Sequence, residues 1–448
     1  MRKKIIYAVL IALGISKIGY SQSYQFSLQQ AIEYAYQNQH DIKNAALDAE
    51  ISKNKVKETV AIGLPQVTGS AAFQKFIDIP TQTIPNFISP LTGAAPGTYP
   101  EFIEAKFGTN YTANYGIQVS QLLFDGNYLI GLKATSVYKD LTIKALARTK
   151  IETNVTVTKA YYSVLVNRKR LELLDANIIR LKKTLDDTKA YFQNGFAEKV
   201  DFDRLSVLFN NLTTERENVA KMVELSNSLL KFQIGMPVNS ELILSDKLES
   251  IQLTAMLESN QVFSPEERVE YQLLKTSMKL NELDYKRNIV THAPSLVAFG
   301  NISRNFQNND FKNLTDKAYP TSIVGLQLNI PIIGSGKKYY QTKQAKLVLE
   351  KSKNDVSNLE NALNLQSKQA QIVYNNSVRS LENQRKNMEL ANEVLRVSKA
   401  KYDQGVGSSL EVTTAETALK ESETNYIGSL YDALIAKVEL DKAFGKIQ

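Results

Sequence analysis

Cysteine and tryptophan are absent from the 448 residues, and histidine occurs twice, at His40 and His292. The missing cysteines exclude disulfides, thiolate metal sites, cysteine nucleophiles and lipid attachment at a mature N-terminal cysteine. Two histidines are too few for a histidine-based metal cluster, and His292, beside Ala293-Pro294 at the end of a helical pattern, reads as structural. Carboxylates are scattered along helix surfaces, so no enzyme, catalytic residue, metal or cofactor is expected. Also missing, after residue 20, is any run of the roughly 20 apolar residues that a membrane-spanning helix needs. If the chain crosses a membrane it does so as strands.

The one apolar run lies at the start. Arg2, Lys3 and Lys4 precede Ile5 to Ile15, and Gly19-Tyr20-Ser21 forms a small-x-small site before Gln22. Residues 1–21 therefore read as a secretory signal, with an uncleaved anchor as the alternative. The segment carries four basic residues, Lys17 included, and no acid, so its loss takes the formal charge from +8 to +4. Basic and acidic residues interleave in what remains, and a nucleic-acid partner is not expected.

What organises the chain is a stretch that occurs twice. Tyr191–Asp201, YFQNGFAEKVD, and Lys401–Glu411, KYDQGVGSSLE, align at an offset of 210, which pairs Gly195 with Gly405 and Asp201 with Glu411. The same offset pairs Ile234-Gly235 with Phe444-Gly445. Each copy is a glycine turn between long helical patterns, so the chain holds two helical hairpins. The expected segments are a helix of the first repeat at 22–64, a strand pair with its loop at 65–125, a hairpin at 126–235 and a linker at 236–263. The second repeat follows with a helix at 264–293, a strand pair at 294–335 and a hairpin at 336–448.

In the first repeat one helix is expected from about Ser27, as N-cap, to Ala61, closed near Gly63-Leu64-Pro65. Residues Gln66 to Phe76 alternate as a strand, and Tyr111 to Ser120 do so more cleanly. Tyr111, Ala113, Tyr115, Ile117 and Val119 stand against Thr112, Asn114, Gly116, Gln118 and Ser120. That suits a barrel wall with lipid on one side and water on the other, and it equally suits a soluble half-buried strand. Between them, Ile77 to Asn110 is rich in proline and glycine and reads as an irregular exposed loop. The second repeat carries the strands Ser295 to Ser303 and Ser322 to Ile330 after Pro294, with a shorter loop. The turn Gly334-Ser335-Gly336-Lys337-Lys338 is not a phosphate loop. Pro331 stands where the first glycine belongs and Lys338 where Ser or Thr belongs.

The longer helical arms approach about 100 Å at 1.5 Å per residue. The last helix has a heptad seam through Val412, Ala415, Leu419, Ser422, Tyr426, Ser429, Ala433, Ala436, Leu440 and Ala443, and a second line through Ile427, Leu430, Leu434 and Val438. The helix before it carries a line through Leu359, Leu363, Gln366, Ala370, Val373, Ser377 and Leu381. Two seams on one helix fit a ring of helices, or an ordinary bundle. Four strands cannot close a barrel, and open edges in lipid are not viable. Strands in a membrane would therefore require oligomerisation, and three copies would give twelve.

Over about Tyr24 to Gly445 the chain resembles the TolC-like outer-membrane efflux proteins. The twin turns, Pro65 and Pro294, the strand ends at Gln118 and Gln327, and Ala443-Phe444-Gly445 carry the resemblance. It implies a homotrimer of mixed α and β class: a twelve-stranded transmembrane β-barrel in the outer membrane, continuous with a long α-helical coiled-coil barrel in the periplasm. It further implies an exit duct for drug efflux or type I secretion, docking a periplasmic adaptor (membrane fusion) protein and an inner-membrane pump of RND or ABC type. The adaptor would meet the tips Gly195, Phe196 and Ala197, and Gly405, Val406 and Gly407. The family's gating tyrosine falls on Tyr402, its acidic partner on Asp201, its upper acidic ring on Glu411 and its lower one on Thr414. The gating arginine falls on Gly407, so that lock is absent or replaced. The alternative is a secreted trimeric coiled-coil adhesin or fibre, which would place strands at one end rather than inside each helical repeat.

Overall fold

The computed structural model describes residues 24–93, 95, 97–248, 253 and 263–447. The expected signal segment lies outside them, as does much of 249–262. In chain order the elements are β1 (Tyr24–Phe26), α1 (Leu28–Asn38), α2 (His40–Ile62), β2 (Gln66–Lys75), β3 (Thr81–Pro85), α3 (Ile88–Leu91), β4 (Phe102–Lys106) and β5 (Tyr111–Phe124). They continue with α4 (Gly126–Gln193), α5 (Lys199–Gln233), β6 (Leu242–Leu244), α6 (Val269–Val290), β7 (Ser295–Asn308), β8 (Ala318–Asn329), α7 (Lys337–Asp403) and α8 (Ser409–Ala443). The chain divides into two compact units. One takes the described parts of Met1–Glu50, Asp140–Ser277 and Lys353–Gln448, and the other takes Ile51–Lys139 and Met278–Ser352.

Helices α5 and α8 are each 35 residues long and start and stop 210 residues apart. Their ends, and those of α4 and α7 before them, close in the same way. Gly195, Gly235, Gly405 and Gly445 all have φ between 67° and 80°. At each, the glycine N–H donates three residues back and the next N–H donates five residues back, as in Val406 to Lys401 and Gly405 to Tyr402, both 3.0 Å. This closure satisfies the last helical carbonyls and needs a residue without Cβ at the left-handed position.

In the first unit the core gathers α1, β1, β6, the middle of α4 and parts of α5 and α8 around Tyr161, Val164, Leu230, Ile234, Ile427 and Leu434. The pair β1 and β6 runs parallel, Tyr24 opposite Leu242. Asp246 fastens this region by accepting from the Leu28 N–H at 2.8 Å and from Tyr161 Oη at 2.9 Å. Burial, with the Asp246 charge beside it, pushes the Tyr161 hydroxyl well above its ordinary pKa, so it stays a donor. One continuous helix from Ser27 to Ala61 is not what forms. Gln39 is extended (ψ 131°) and separates α1 from α2, its side chain accepting from the Ile42 N–H. The break admits Gly235, where a Cβ would lie 2.7 Å from the Asn38 carbonyl carbon.

Seam burial follows heptads on α5, at Leu205, Leu212, Val219 and Ser226. On α7 the expected line drifts. Gln366 and Val373 are exposed, whereas Ser352, Leu363 and Tyr374, and Ser367 and Val378, are buried at intervals of eleven. Eleven residues in three turns is close to the natural helical period, so this stretch needs little supercoil. On α8 both expected lines are buried, at Val412, Leu419, Ala433, Ala436 and Leu440, and at Ile427, Leu434 and Val438.

In the second unit the four long strands form one antiparallel sheet in the order β2-β5-β7-β8. Val67 pairs with Val119, Ile117 with Ile302, and Gly300 with Val324, so their side chains share a face. That face carries Phe73, Tyr115, Leu326 and Leu328 as well, and these four, with Val67, Ile117, Val119, Ile302 and Val324, are exposed in the protomer. The other face holds Thr68, Ser70, Thr112, Asn114, Gln118, Asn301, Ser303 and Asn305, with Phe299 lying over Gly325. Residues 77–110 are more regular than their prolines suggest. There β3 pairs with β4 from Thr81–Lys106 to Pro85–Phe102. Pro80 and Pro100 flank this arm instead of interrupting it, and Asn86 ties its end by accepting from the Ser89 N–H and donating to the Pro100 carbonyl. In the Gly334–Lys338 turn, Lys338 Nζ donates to the Thr291 carbonyl at 2.8 Å, capping α6. His292 Nδ1 contacts the Ile289 carbonyl at 3.1 Å, a helix-end contact. Among the described residues no helix is long and apolar enough to cross a membrane, and no cluster of metal-binding side chains occurs.

Candidate functional site: the hairpin tips and the polar ladder behind them

Each tip presents one apolar side chain to solvent directly after its left-handed glycine. Phe196 is 84% exposed and Val406 is 78% exposed. Ala197 is half-buried beside the first. Gly407 is also half-buried, because the chain folds back there. Its N–H donates to the Lys401 carbonyl at 3.1 Å, and a Cβ would meet the Tyr402 nitrogen at 2.9 Å. The expected place of an arginine is therefore one where the turn, as built, accepts no side chain.

The expected gate residues are dispersed within the protomer. Tyr402 does not reach Asp201. Its Oη lies 3.2 Å from Thr188 Oγ1, and its ring stands edge-on to Tyr191, with centroids 6.2 Å apart. Asp201 sits in the first turn of α5 and pairs with Arg204 at 3.7 Å. Glu411 is exposed in the first turn of α8, where Ser408 Oγ accepts its N–H. Thr414 is exposed one turn on and bonds the Leu410 carbonyl.

Behind the tips, one face of α4 carries polar groups at 188, 184, 180 and 177, spacings that keep them in line on a helix. Each meets the second hairpin. Thr188 meets Tyr402, and Thr184 Oγ1 accepts from Lys399 Nζ at 3.1 Å. Arg180 donates from Nε to both oxygens of Glu416 at 3.2 Å, and from Nη2 to Asn177 Oδ1 at 2.6 Å. Asn177 in turn donates to Glu423. A parallel rung joins Lys420 to Glu215 at 2.6 Å, and Glu215 to Arg170 at 2.8 Å.

The ladder's acids are not ordinary carboxylates. Glu416 is 5% exposed. Burial raises its pKa, against the pull of Arg180 and Lys399. Burial also raises Glu423, and the neighbouring Glu416 charge adds to the effect. Glu215 goes the other way, because the hydrogen bonds from Lys420 and Arg170 outweigh its burial. The ladder is absent from the sequence-level expectations. The available signal was Asn177, Arg180, Thr184 and Thr188 at helical spacing beside the apolar line Leu174, Leu181 and Leu185, together with Glu416 beside a buried seam.

Residues 31–212 and 282–446 match the model of the outer membrane efflux protein family. The chain belongs to that family. Outer membrane protein TolC of Vibrio cholerae is 23% identical over 341 residues, which span 74% of this chain and 76% of that one. The structure of CusC superposes with a TM-score of 0.76 at 14% identity, covering 93% of this chain and 92% of that one. VceC of Vibrio cholerae superposes with a TM-score of 0.73 at 13% identity, covering 93% and 96%. The family's place is the outer membrane, with the helical part in the periplasm, and the tips described above belong to the helical part.

Proposed function

We propose that this family member is the passive exit duct of a tripartite efflux or type I secretion assembly, working as a homotrimer. The observation that carries the reading is the sheet β2-β5-β7-β8. It has one apolar and one polar face and unpaired edges at β2 and β8. In lipid those edges have no water to satisfy them, so the sheet must close on other copies of itself. Three copies supply twelve strands, with lipid on the Ile117, Ile302 and Val324 face and water on the Asn114, Gln118 and Asn301 face. Helix surfaces left apolar in one protomer support the same assembly: Met222, Leu225, Leu229 and Phe232 on α5, and Leu365, Ile372, Leu390 and Val394 on α7, are all exposed.

In this reading the tips are the docking end, where Phe196 and Val406 offer apolar anchors to a periplasmic adaptor that connects the duct to an inner-membrane pump. The polar ladder joins one hairpin to the other, so rotating them apart to widen the entrance breaks it. Glu411 and Thr414 stand exposed on α8 beyond the ladder, where a ring of three Glu411 carboxylates would attract cations.

Native mass spectrometry of the detergent-extracted protein, with planar-bilayer recording, tests the reading. A trimeric mass and discrete conductance steps are expected. A monomer that forms no channel overturns it.

A further inference from the structure

On the apolar face of the sheet lies a groove of about 710 Å³ with Arg304 at one end. Between β5 and β8 the face is low at Gly300, which carries no side chain, and at Ser322, which carries a small one, and it dips again beyond β5 at Gly69. A Cβ at Gly300 would meet nothing nearer than the Ile323 carbonyl oxygen at 3.8 Å and Val324 Cγ2 at 3.9 Å, and one at Gly69 nothing nearer than 4.0 Å. Tyr115, Ile117 and Val119 form one wall and Val324 the other, with Ile302 between them. Gly300 and Arg304 stand about 13 Å apart along β7, and because Ile302, 69% exposed, rises between them, the groove passes beside it over Ser322.

Arg304 is exposed among Tyr115, Ile302, Phe306 and Pro320, which share its face. Among the described residues its guanidinium has neither a hydrogen bond nor an ion pair. An arginine on an apolar wall needs an anion or water to be solvated, and its planar fork suits a phosphate. It stands toward the loop-joined end of β7 (Asn308), away from the end joined to α6, and so toward the outer leaflet.

We propose that this groove holds an acyl chain of a phosphate-bearing lipid of the outer leaflet, with the phosphate on Arg304. The proposal rests on the sheet being membrane wall. Val324 is 91% exposed in the protomer, and the chain has no cysteine, so Val324→Cys gives a unique probe of that premise. Protection of this thiol from a water-soluble maleimide in proteoliposomes supports the wall, and full labelling overturns the wall itself.

The lipid site is tested separately by native mass spectrometry of the intact assembly titrated with bis-phosphorylated lipid A, its dephosphorylated form, or phosphatidylglycerol. Retention of lipid A at least tenfold above the dephosphorylated form is expected. Arg304→Gln should remove that preference while Arg304→Lys keeps part of it, and Gly300→Leu, which fills the groove, should lower retention of both forms of lipid A. Equal retention by Arg304→Gln and the unaltered protein overturns the phosphate contact, unaltered retention by Gly300→Leu overturns the groove, and preference for phosphatidylglycerol overturns the outer-leaflet source. Each variant is scored only as the assembled species, so a folding failure shows as lost assembly.

Discussion

Tyr402 Oη meets Thr188 Oγ1 at 3.2 Å, joining α7 of the second hairpin to α4 of the first across 214 positions of sequence. It is the rung of the ladder nearest the tips, and Thr188 is fully buried. Replacing Tyr402→Phe removes the hydroxyl and keeps the ring against Tyr191. A neutral hydrogen bond contributes about 1 kcal/mol net, so the expected result is a modest rise in planar-bilayer conductance. Thr188→Val should give the same rise, and the double variant little more than either alone. Additive effects in the two variants would show that the hydroxyls do not act together.

Arg180 and Glu416 are the costlier pair to break. Arg180→Ala leaves the Glu416 carboxylate without its main partner in a site that is 5% exposed. A stranded buried charge of this kind costs about 3 kcal/mol. The expected outcome is a lower midpoint of thermal unfolding together with a more open channel. Glu416→Gln, which keeps a hydrogen-bonding group and removes the charge, should be much milder. If Arg180→Ala is as mild as Glu416→Gln, the bridge does not hold the hairpins.

If the ladder holds the entrance shut as proposed, the raised acids fix the sign of its response to pH. Glu416 and Glu423 bind protons more tightly in this arrangement of the hairpins than they would in water, where a glutamate titrates near 4.5. Their contribution to holding this arrangement is therefore fully present below that value and is lost as pH rises through their raised pKa values. If opening exposes them to water, conductance should fall as the medium is acidified from neutrality toward pH 4.5. Glu416→Gln with Glu423→Gln should flatten that dependence. A rise in conductance on acidification would reverse the assignment.

Gly407 can be tested from both directions. Because a Cβ there meets the Tyr402 nitrogen at 2.9 Å, Gly407→Ala and Gly407→Arg should loosen the tip alike, seen as faster limited proteolysis near residue 407. A conductance decrease in Gly407→Arg alone would instead mean that arginine builds a new lock there.

Exposed Glu411 in the first turn of α8 is the remaining proposed gate residue with a measurable signature. Glu411→Gln should lower cation selectivity and weaken block by multivalent cations, leaving single-channel amplitude near its original value. Unchanged selectivity would remove Glu411 from the conduction path.

Much of the framework was legible in the residues because it depends on local chemistry. A left-handed glycine after a long helix specifies the Schellman closure, and it does so at four places spaced as the turns and helix ends are spaced in sequence. Strict alternation from Tyr111 to Ser120 specifies two unlike faces whatever the strand pairs with. The proline-rich arm misled because proline excludes a central strand but permits the flanks and ends of a two-stranded one, where Pro80, Pro85 and Pro100 stand.

The partners of Tyr402, Asp201 and Glu416 were not legible. They lie on helices whose rotation about their axes is set by neighbours far away in sequence. A heptad seam and an eleven-residue seam differ by a slow drift that turns Val373 outward and Tyr374 inward, and the same freedom decides that Tyr402 meets Thr188 instead of Asp201. Likewise Gln39 breaks a helix that its own sequence would continue, because Gly235 needs the space. Sequence alone therefore determined where the hairpin helices end and which strand faces differ, since these follow from φ preferences and side-chain period. Tertiary packing decided which polar groups face one another, since that depends on how several long helices settle against each other.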